Sequence, residues 1–136
     1  GGVLGVREPD MGGHIFGPTE GVMHKLYDLW AQMIQRNGGN PYLGRALRAL
    51  HHQGGCRGVI ATASYESHGT PESIAVFRSG GAGALGPDGA LGRGLLNAGL
   101  IDEPQLAALR VRVEAWVDDP VCFIARPWCE AVGWKP

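Results

Sequence analysis

Three residues that can carry or orient a proton lie close together after the first apolar segment of the chain. Glu8, Asp10 and His14 follow a short apolar run that ends at Val6. A histidine with its ordinary pKa of about 6.5 can accept a proton from a nucleophilic group, and a neighbouring carboxylate can orient it. The alternative is that Asp10 only caps a turn and His14 is an exposed loop residue. The spacing indicates a candidate site but assigns no catalytic role.

Aromatic residues extend this candidate site. Phe16 and Tyr65 can contribute apolar walls to a substrate pocket, although aromatic side chains are more often part of an ordinary core. The pocket residues that we predict are Glu8, Asp10, His14, Phe16 and Tyr65.

Two other groups of reactive side chains lack the partners that their chemistry needs. His51, His52 and Cys56 carry metal-binding atoms, but no second pair of such residues completes four ligands. We therefore expect a solvated helix end and no metal. Cys129 is a potential nucleophile, yet no base is identifiable beside it, and a small buried strand residue is the favoured interpretation.

A glycine-rich segment matches a nucleotide-binding pattern. Gly81 to Gly86 reads G-x-G-x-x-G. That fingerprint needs a strand before it and a helix directly after it. Pro71 favours a helix in the preceding stretch, and Pro87 interrupts any helix directly after the glycines. We expect a flexible connection, and a nucleotide-dependent oxidoreductase is the least supported hypothesis.

The first element that must position the candidate residues is a strand over Val3 to Glu8. Its glycine-bounded apolar run is typical of a buried strand in a parallel α/β sheet. Ligands bind beyond the carboxyl ends of such strands, which places the next loop beside a binding site. A helix is predicted over 22–34, with Thr19 as its cap and Glu20 in its first turn.

The remaining elements alternate between helices and strands. A helix over 41–53 precedes a strand over 56–66, and Thr70 caps a short helix. After a turn over 95–100, Asp102 and Gln105 form a capping box for a helix that ends near Val117. The alternation over 123–134 predicts a last strand, with Cys129, Ala131 and Gly133 on its small-residue side. The fold class is therefore α/β, although the pattern is incomplete.

Composition excludes several classes of function. The 136 residues carry a net charge of -1 without a basic stripe, which argues against nucleic acid as a partner. No apolar run approaches the roughly 20 residues of a membrane-spanning helix. The three cysteines form an odd number, which fits a reducing compartment better than a disulfide framework. We expect one domain over 1–136, in a cytoplasmic protein.

Several segments in order along the chain resemble one enzyme family. They are the opening segment at 1–10, the turn at 37–41, the strand end at 63–72 and the tail at 127–134. Together they resemble the carboxyl-terminal half of small-molecule class I S-adenosylmethionine-dependent methyltransferases, in the branch related to quinone biosynthesis. The likeness covers nearly the whole chain, but no single segment in it is a cofactor signature.

The resemblance implies a partial Rossmann-like sheet with a helical cap. Val3 to Glu8 would be the fifth strand of the family, residues 56–66 the sixth, and residues 123–134 the antiparallel seventh. Residues 71–120 would form a helical cap over the substrate. The family's glycine-rich cofactor loop and acidic ribose-binding residue belong to earlier strands, so the complete protein would bind S-adenosylmethionine and this chain alone would not.

The functional prediction is the carboxyl-terminal portion of a methyltransferase that acts on a small molecule and is inactive by itself. Many methyl transfers need little beyond the proximity and orientation of the reacting groups, so no general base is required. The alternative is a noncatalytic ligand-binding or protein-interaction module. In that case the exposed first strand would pair with a partner's sheet or with a second copy of the chain.

Overall fold

The computed structural model describes residues 1–19, 21–86 and 88–136, with the backbone alone at 81 and 82. Its strands are β1 (Gly2–Pro9), β2 (Ile15–Gly17), β3 (Arg57–His68) and β4 (Phe123–Lys135). Its α-helices are α1 (Val22–Arg36), α2 (Leu47–Gln53), α3 (Pro71–Phe77), α4 (Ala90–Asn97) and α5 (Glu103–Asp118). The α/β class predicted from the sequence is confirmed.

The last strand organises the sheet. β1 pairs with β4 in an antiparallel register that runs from Gly2 opposite Lys135 to Pro9 opposite Trp128. β2 and β3 also pair with β4, so the strands form one four-stranded antiparallel sheet. The expectation that β1 lies in a parallel sheet is wrong for the described strands, because its partner β4 runs in the opposite direction. The antiparallel order of the described strands is likewise unlike the parallel sheet of a Rossmann fold.

β1 is also less buried than its composition predicts. Val3 is 66% exposed and Leu4 is 43% exposed. β1 lies at the end of the strand order and has β4 as its only neighbour among the described strands. A run of apolar residues shows that a strand can be buried, whereas its actual burial depends on the elements that cover it. β1 is therefore an edge strand with exposed apolar side chains.

β4 follows the alternation predicted for it. Ala131 and Gly133 are buried on one side, while Trp134 on the other side is 44% exposed. A Cβ atom at Gly133 would lie 2.8 Å from the Cβ of Cys56. Glycine is required there because the chain before β3 packs directly on the backbone of β4.

Two of the predicted helix starts are confirmed by their caps. Thr70 accepts a hydrogen bond from the Ser73 amide, and Asp102 accepts one from the Gln105 amide. The start predicted for α1 is wrong, because its N-cap is Gly21 and not Thr19. Glu20 lies outside the described residues.

The contacts divide the chain into two compact units. The first consists of 1–14, 40–66 and 125–136, and the second of 15–39 and 67–124. The predicted cap at 71–120 falls entirely within the second unit. The largest fully buried side chains also belong to the second unit: Val22, Met23, Leu85, Leu95, Val113 and Ile124. Among the described residues, no helix combines the length and apolar character needed to cross a membrane.

Candidate functional site

The loop after β1 is held by a buried carboxylate. The Asp10 side chain is only 6% exposed, and the Arg45 guanidinium donates two hydrogen bonds to it. Nε of Arg45 lies 2.6 Å from Oδ2 of Asp10, and Nη2 lies 2.6 Å from Oδ1. The backbone amides of Gly12 and Arg45 donate to the same carboxylate at 3.0 and 3.2 Å. Asp10 thus fastens the loop at 11–14 to the turn that begins α2.

These donors determine the charge state of Asp10. The Arg45 guanidinium lowers the pKa of Asp10 below its ordinary value, and this effect exceeds the opposing effect of burial. Asp10 also caps the short 3-10 turn Met11–Gly13 through the Gly12 amide. The carboxylate therefore has the turn-capping role that the sequence analysis gave as the alternative to a chemical one.

His14 lies half-buried at the end of the same loop. Its Nδ1 is 3.1 Å from the carbonyl oxygen of Met11. Because a carbonyl can only accept, Nδ1 donates its proton in this contact. Burial lowers the pKa of His14 below its ordinary value and thus favours the neutral ring.

Tyr65 reaches the loop from β3. Its hydroxyl donates to the Gly13 carbonyl at 3.1 Å. The structure thus brings Asp10, His14 and Tyr65, three of the five predicted pocket residues, to one loop of the first unit. No sequence pattern indicated this contact, since Tyr65 and Gly13 are separated by 52 residues.

A second polar group was missed by the sequence analysis. Glu66 accepts from Arg126 Nη2 at 2.8 Å and from the Trp128 indole at 3.0 Å. The positive charge of Arg126 further lowers the pKa of His14. Arg126 thus lies close enough to His14 to influence its protonation. Arg126 is near the candidate loop because of how β4 packs in the fold, and this packing leaves no signal in the local sequence.

Glu8 lies opposite Cys129 in the β1–β4 register. Cys129 packs closely on the backbone at Gly44, where a Cβ atom would lie 3.0 Å from its sulfur. Burial raises the pKa of the Cys129 thiol, which disfavours the thiolate that a nucleophile requires. Cys129 is thus a strand residue with close neighbours, although it is half-buried and not buried as expected.

Phe16 belongs to the second unit. Its ring centroid lies 5.0 Å from that of His24, 5.1 Å from that of Tyr27 and 6.4 Å from that of Trp116. Phe16 itself is buried, with 6% of its surface exposed. Its neighbours make it part of the aromatic packing around α1 and α5.

The groups considered for metals and nucleotides have other surroundings. The expectation of a solvated helix end is wrong for His51 and Cys56, because both are buried. His51 donates from Nδ1 to the Leu47 carbonyl at 2.8 Å. No cluster of three or more metal-binding side chains occurs in the part of the chain that the structure describes. The segment from Gly81 to Gly86 follows α3 in π-helical and 3-10 turns, so no strand comes directly before it.

The glycines after β1 pack closely against neighbouring side chains of the first unit. A Cβ atom at Gly12 would collide with the Arg45 guanidinium, and one at Gly13 would lie 3.1 Å from the Pro127 ring. Both glycines therefore serve close packing within the protein.

No protein-family model matches the chain. A search of the curated proteins also gave no significant match.

Proposed function

We propose that the chain forms the carboxyl-terminal portion of an S-adenosylmethionine-dependent methyltransferase that acts on a small molecule. The observation that supports this most strongly is the direction of β4. It runs antiparallel to both β1 and β3, so those two strands are parallel to each other. The sequence resemblance implies this relation for strands five, six and seven of the family.

The loop after β1 supplies the substrate side of the proposed enzyme. The Asp10–Arg45 pair and the Tyr65 hydroxyl fix the backbone from residue 10 to residue 14. A fixed loop of this kind can orient a bound molecule, and orientation alone provides much of the acceleration of a group transfer. His14, whose neutral form burial favours, is the member of this loop that can accept a proton from the nucleophile.

S-adenosylmethionine would supply the methyl group when it is bound to the complete protein. This chain contributes no residue that we assign to the cofactor. Its proposed share is the last part of the sheet, the substrate loop and the helices at 71–120.

The test compares this chain with the polypeptide encoded by the same reading frame extended upstream of Gly1. By calorimetry we expect no heat of S-adenosylmethionine binding from this chain and micromolar binding from the extended polypeptide. We also expect the extended polypeptide to transfer labelled methyl groups to a small acceptor. Micromolar binding by this chain alone would contradict the proposal, as would a stop codon directly upstream.

The exposed edge of β1 favours a second candidate function, that of an interaction module. Unpaired strand edges readily recruit another strand, and Val3 and Leu4 add apolar surface there. Sedimentation equilibrium would test self-association. We expect a concentration-dependent dimer that is abolished by Val3→Lys and retained by Val111→Lys, a substitution of an equally exposed valine on α5. A chain that remains monomeric at all concentrations would contradict pairing with a second copy.

A further inference from the structure

The second unit contains a cleft that the proposed function does not use. It has a volume of about 380 Å³ and lies between the first turns of α3 and the end of α5. Small-molecule sites commonly have volumes of about 300 to 1,000 Å³. The cleft is therefore large enough for a compact organic ligand.

Most of its walls are apolar. Pro71 and Ile74 line it from α3, while Val117 and Pro120 line it from the end of α5. Cys122 also contributes to the lining and is 7% exposed. Burial raises the pKa of the Cys122 thiol to about 11, so this residue adds no charge. An aliphatic or aromatic ligand body can replace water against these surfaces.

The charged residues of the cleft carry an excess of negative charge. Asp118 and Asp119 face a single cation, Arg78, among the described lining residues. Nη2 of Arg78 lies 2.6 Å from Oδ1 of Asp118 and 3.4 Å from the Val117 carbonyl oxygen. Arg78 therefore compensates Asp118, while the described part of the cleft offers no second cation for Asp119. Both acidic residues also lie at the carboxyl end of α5, where the helix dipole is negative.

We propose that this cleft binds a small molecule that joins an apolar body to a protonated amine, with the amine beside Asp119. The proposal goes beyond the proposed function and does not rest on it, because the cleft lies in the second unit and the proposed substrate loop lies in the first.

The first experiment separates charge recognition from hydrophobic binding. Phenethylamine and its neutral analogue 2-phenylethanol are titrated into the chain while amide chemical shifts are followed by NMR. We expect saturable shifts around α3 and the end of α5 with the amine, and an affinity at least about tenfold weaker for the alcohol. Equal affinities, or no saturable shifts with the amine, would overturn the proposal.

Variants then locate the site. Ala75→Phe should fill the cleft and abolish binding, because Ala75 lines it. Val76→Phe is the matched control on the same helix, since Val76 is 64% exposed and is not among the lining residues. Full binding by the Ala75→Phe variant, or equal losses in both variants, would exclude this cleft as the site.

A charge variant tests the role of Asp119. Asp119→Asn removes the negative charge but keeps the side-chain oxygen that accepts from the Val121 amide. We expect amine affinity to fall about tenfold. It should not change in Asp28→Asn, where the same charge is removed from an exposed position on α1. Equal losses in both variants would indicate an effect of net charge and would overturn the assignment.

These results are independent of the methyl-donor experiment. Amine binding is measured on this chain without S-adenosylmethionine, whereas the proposed function is tested by methyl transfer from the extended polypeptide. Methyl transfer without amine binding would refute only the amine site. If this chain binds the amine but the extended polypeptide transfers no methyl group, only the methyltransferase proposal is refuted.

Discussion

Two aspartate–arginine pairs, one in each unit, have the same shortest distance but different surroundings. Asp10 and Arg45 approach to 2.6 Å in the first unit, and Asp118 and Arg78 approach to 2.6 Å in the second. The Asp10 side chain is 6% exposed, whereas that of Asp118 is 65% exposed. Distance alone would rank the two pairs as equal.

The difference lies in what else satisfies each carboxylate. Asp10 accepts two side-chain bonds from Arg45 and two backbone amide bonds. Asp118 accepts a single bond from Arg78, and water competes for both of these exposed groups. An exposed ion pair contributes little to stability because solvent screens it, whereas a buried acceptor must keep its donors. Asp10 therefore determines local structure, while the Asp118 pair is free to rearrange around a ligand.

The largest effect is expected when the buried carboxylate is removed. Asp10→Ala leaves the Gly12 and Arg45 amides without their acceptor and removes the cap of the turn at 11–13. We expect the free energy of unfolding in urea to fall by about 2–3 kcal/mol. A change below about 0.5 kcal/mol, the value typical of exposed pairs, would show that burial does not distinguish the two pairs.

Acid should weaken the same interaction gradually. Arg45 holds the pKa of Asp10 below its ordinary value of 3.8, so the unfolded chain binds this proton at a higher pH than the folded chain does. The contribution of Asp10 is therefore complete above the ordinary value and is lost as the pH falls through the lower folded value.

Comparison with Asp10→Asn isolates this contribution from those of other carboxyl groups. The difference in unfolding free energy between the two proteins should be constant near neutral pH and should shrink in acid. Urea denaturation over a series of pH values measures it. A difference that does not change with pH would contradict the assigned role of the carboxylate.

A smaller effect is expected from Arg45→Lys. Lysine keeps the positive charge but has no planar fork, so it cannot reproduce the two parallel bonds to Asp10. The thermal midpoint should fall by less than in Asp10→Ala. Arg78→Lys is the control and should leave the midpoint unchanged, because Arg78 makes a single bond to Asp118. Equal shifts of the thermal midpoint in the two lysine variants would show that the buried and the exposed pair do not differ in stability.

Local signals in the sequence predicted much of the secondary structure. The Thr70 cap with Pro71 and the capping box at Asp102 located the starts of α3 and α5 because they involve neighbouring residues. α4 was expected only as a turn over 95–100, yet it spans Ala90–Asn97. Its interior glycine Gly94 lowers helix propensity but permits close packing, since a Cβ atom there would collide with the sulfur of Met33. The packing of Gly94 against Met33 is a tertiary contact, so no local sequence pattern predicts it.

The candidate site was predicted less completely. The run at the end of β1 indicated Asp10 and His14, but nothing local indicated Arg45, 35 residues further along the chain. The exposure of Val3 was mispredicted for the same reason, because burial depends on which elements cover a strand. A sequence pattern can identify a polar residue at a strand end as a candidate site residue. Whether that residue serves structure or chemistry depends on partners that only the fold brings together.

The smallest effect is expected at the exposed pair. Asp118→Ala removes the acceptor of Arg78, but both side chains already contact water, and the Val117 carbonyl remains near the guanidinium. The free energy of unfolding should change by less than about 0.5 kcal/mol, as for other exposed pairs. Urea denaturation at low and high salt measures this change. A loss comparable to that of Asp10→Ala would mean that the pair is protected from solvent in solution, and exposure would then no longer separate the two pairs.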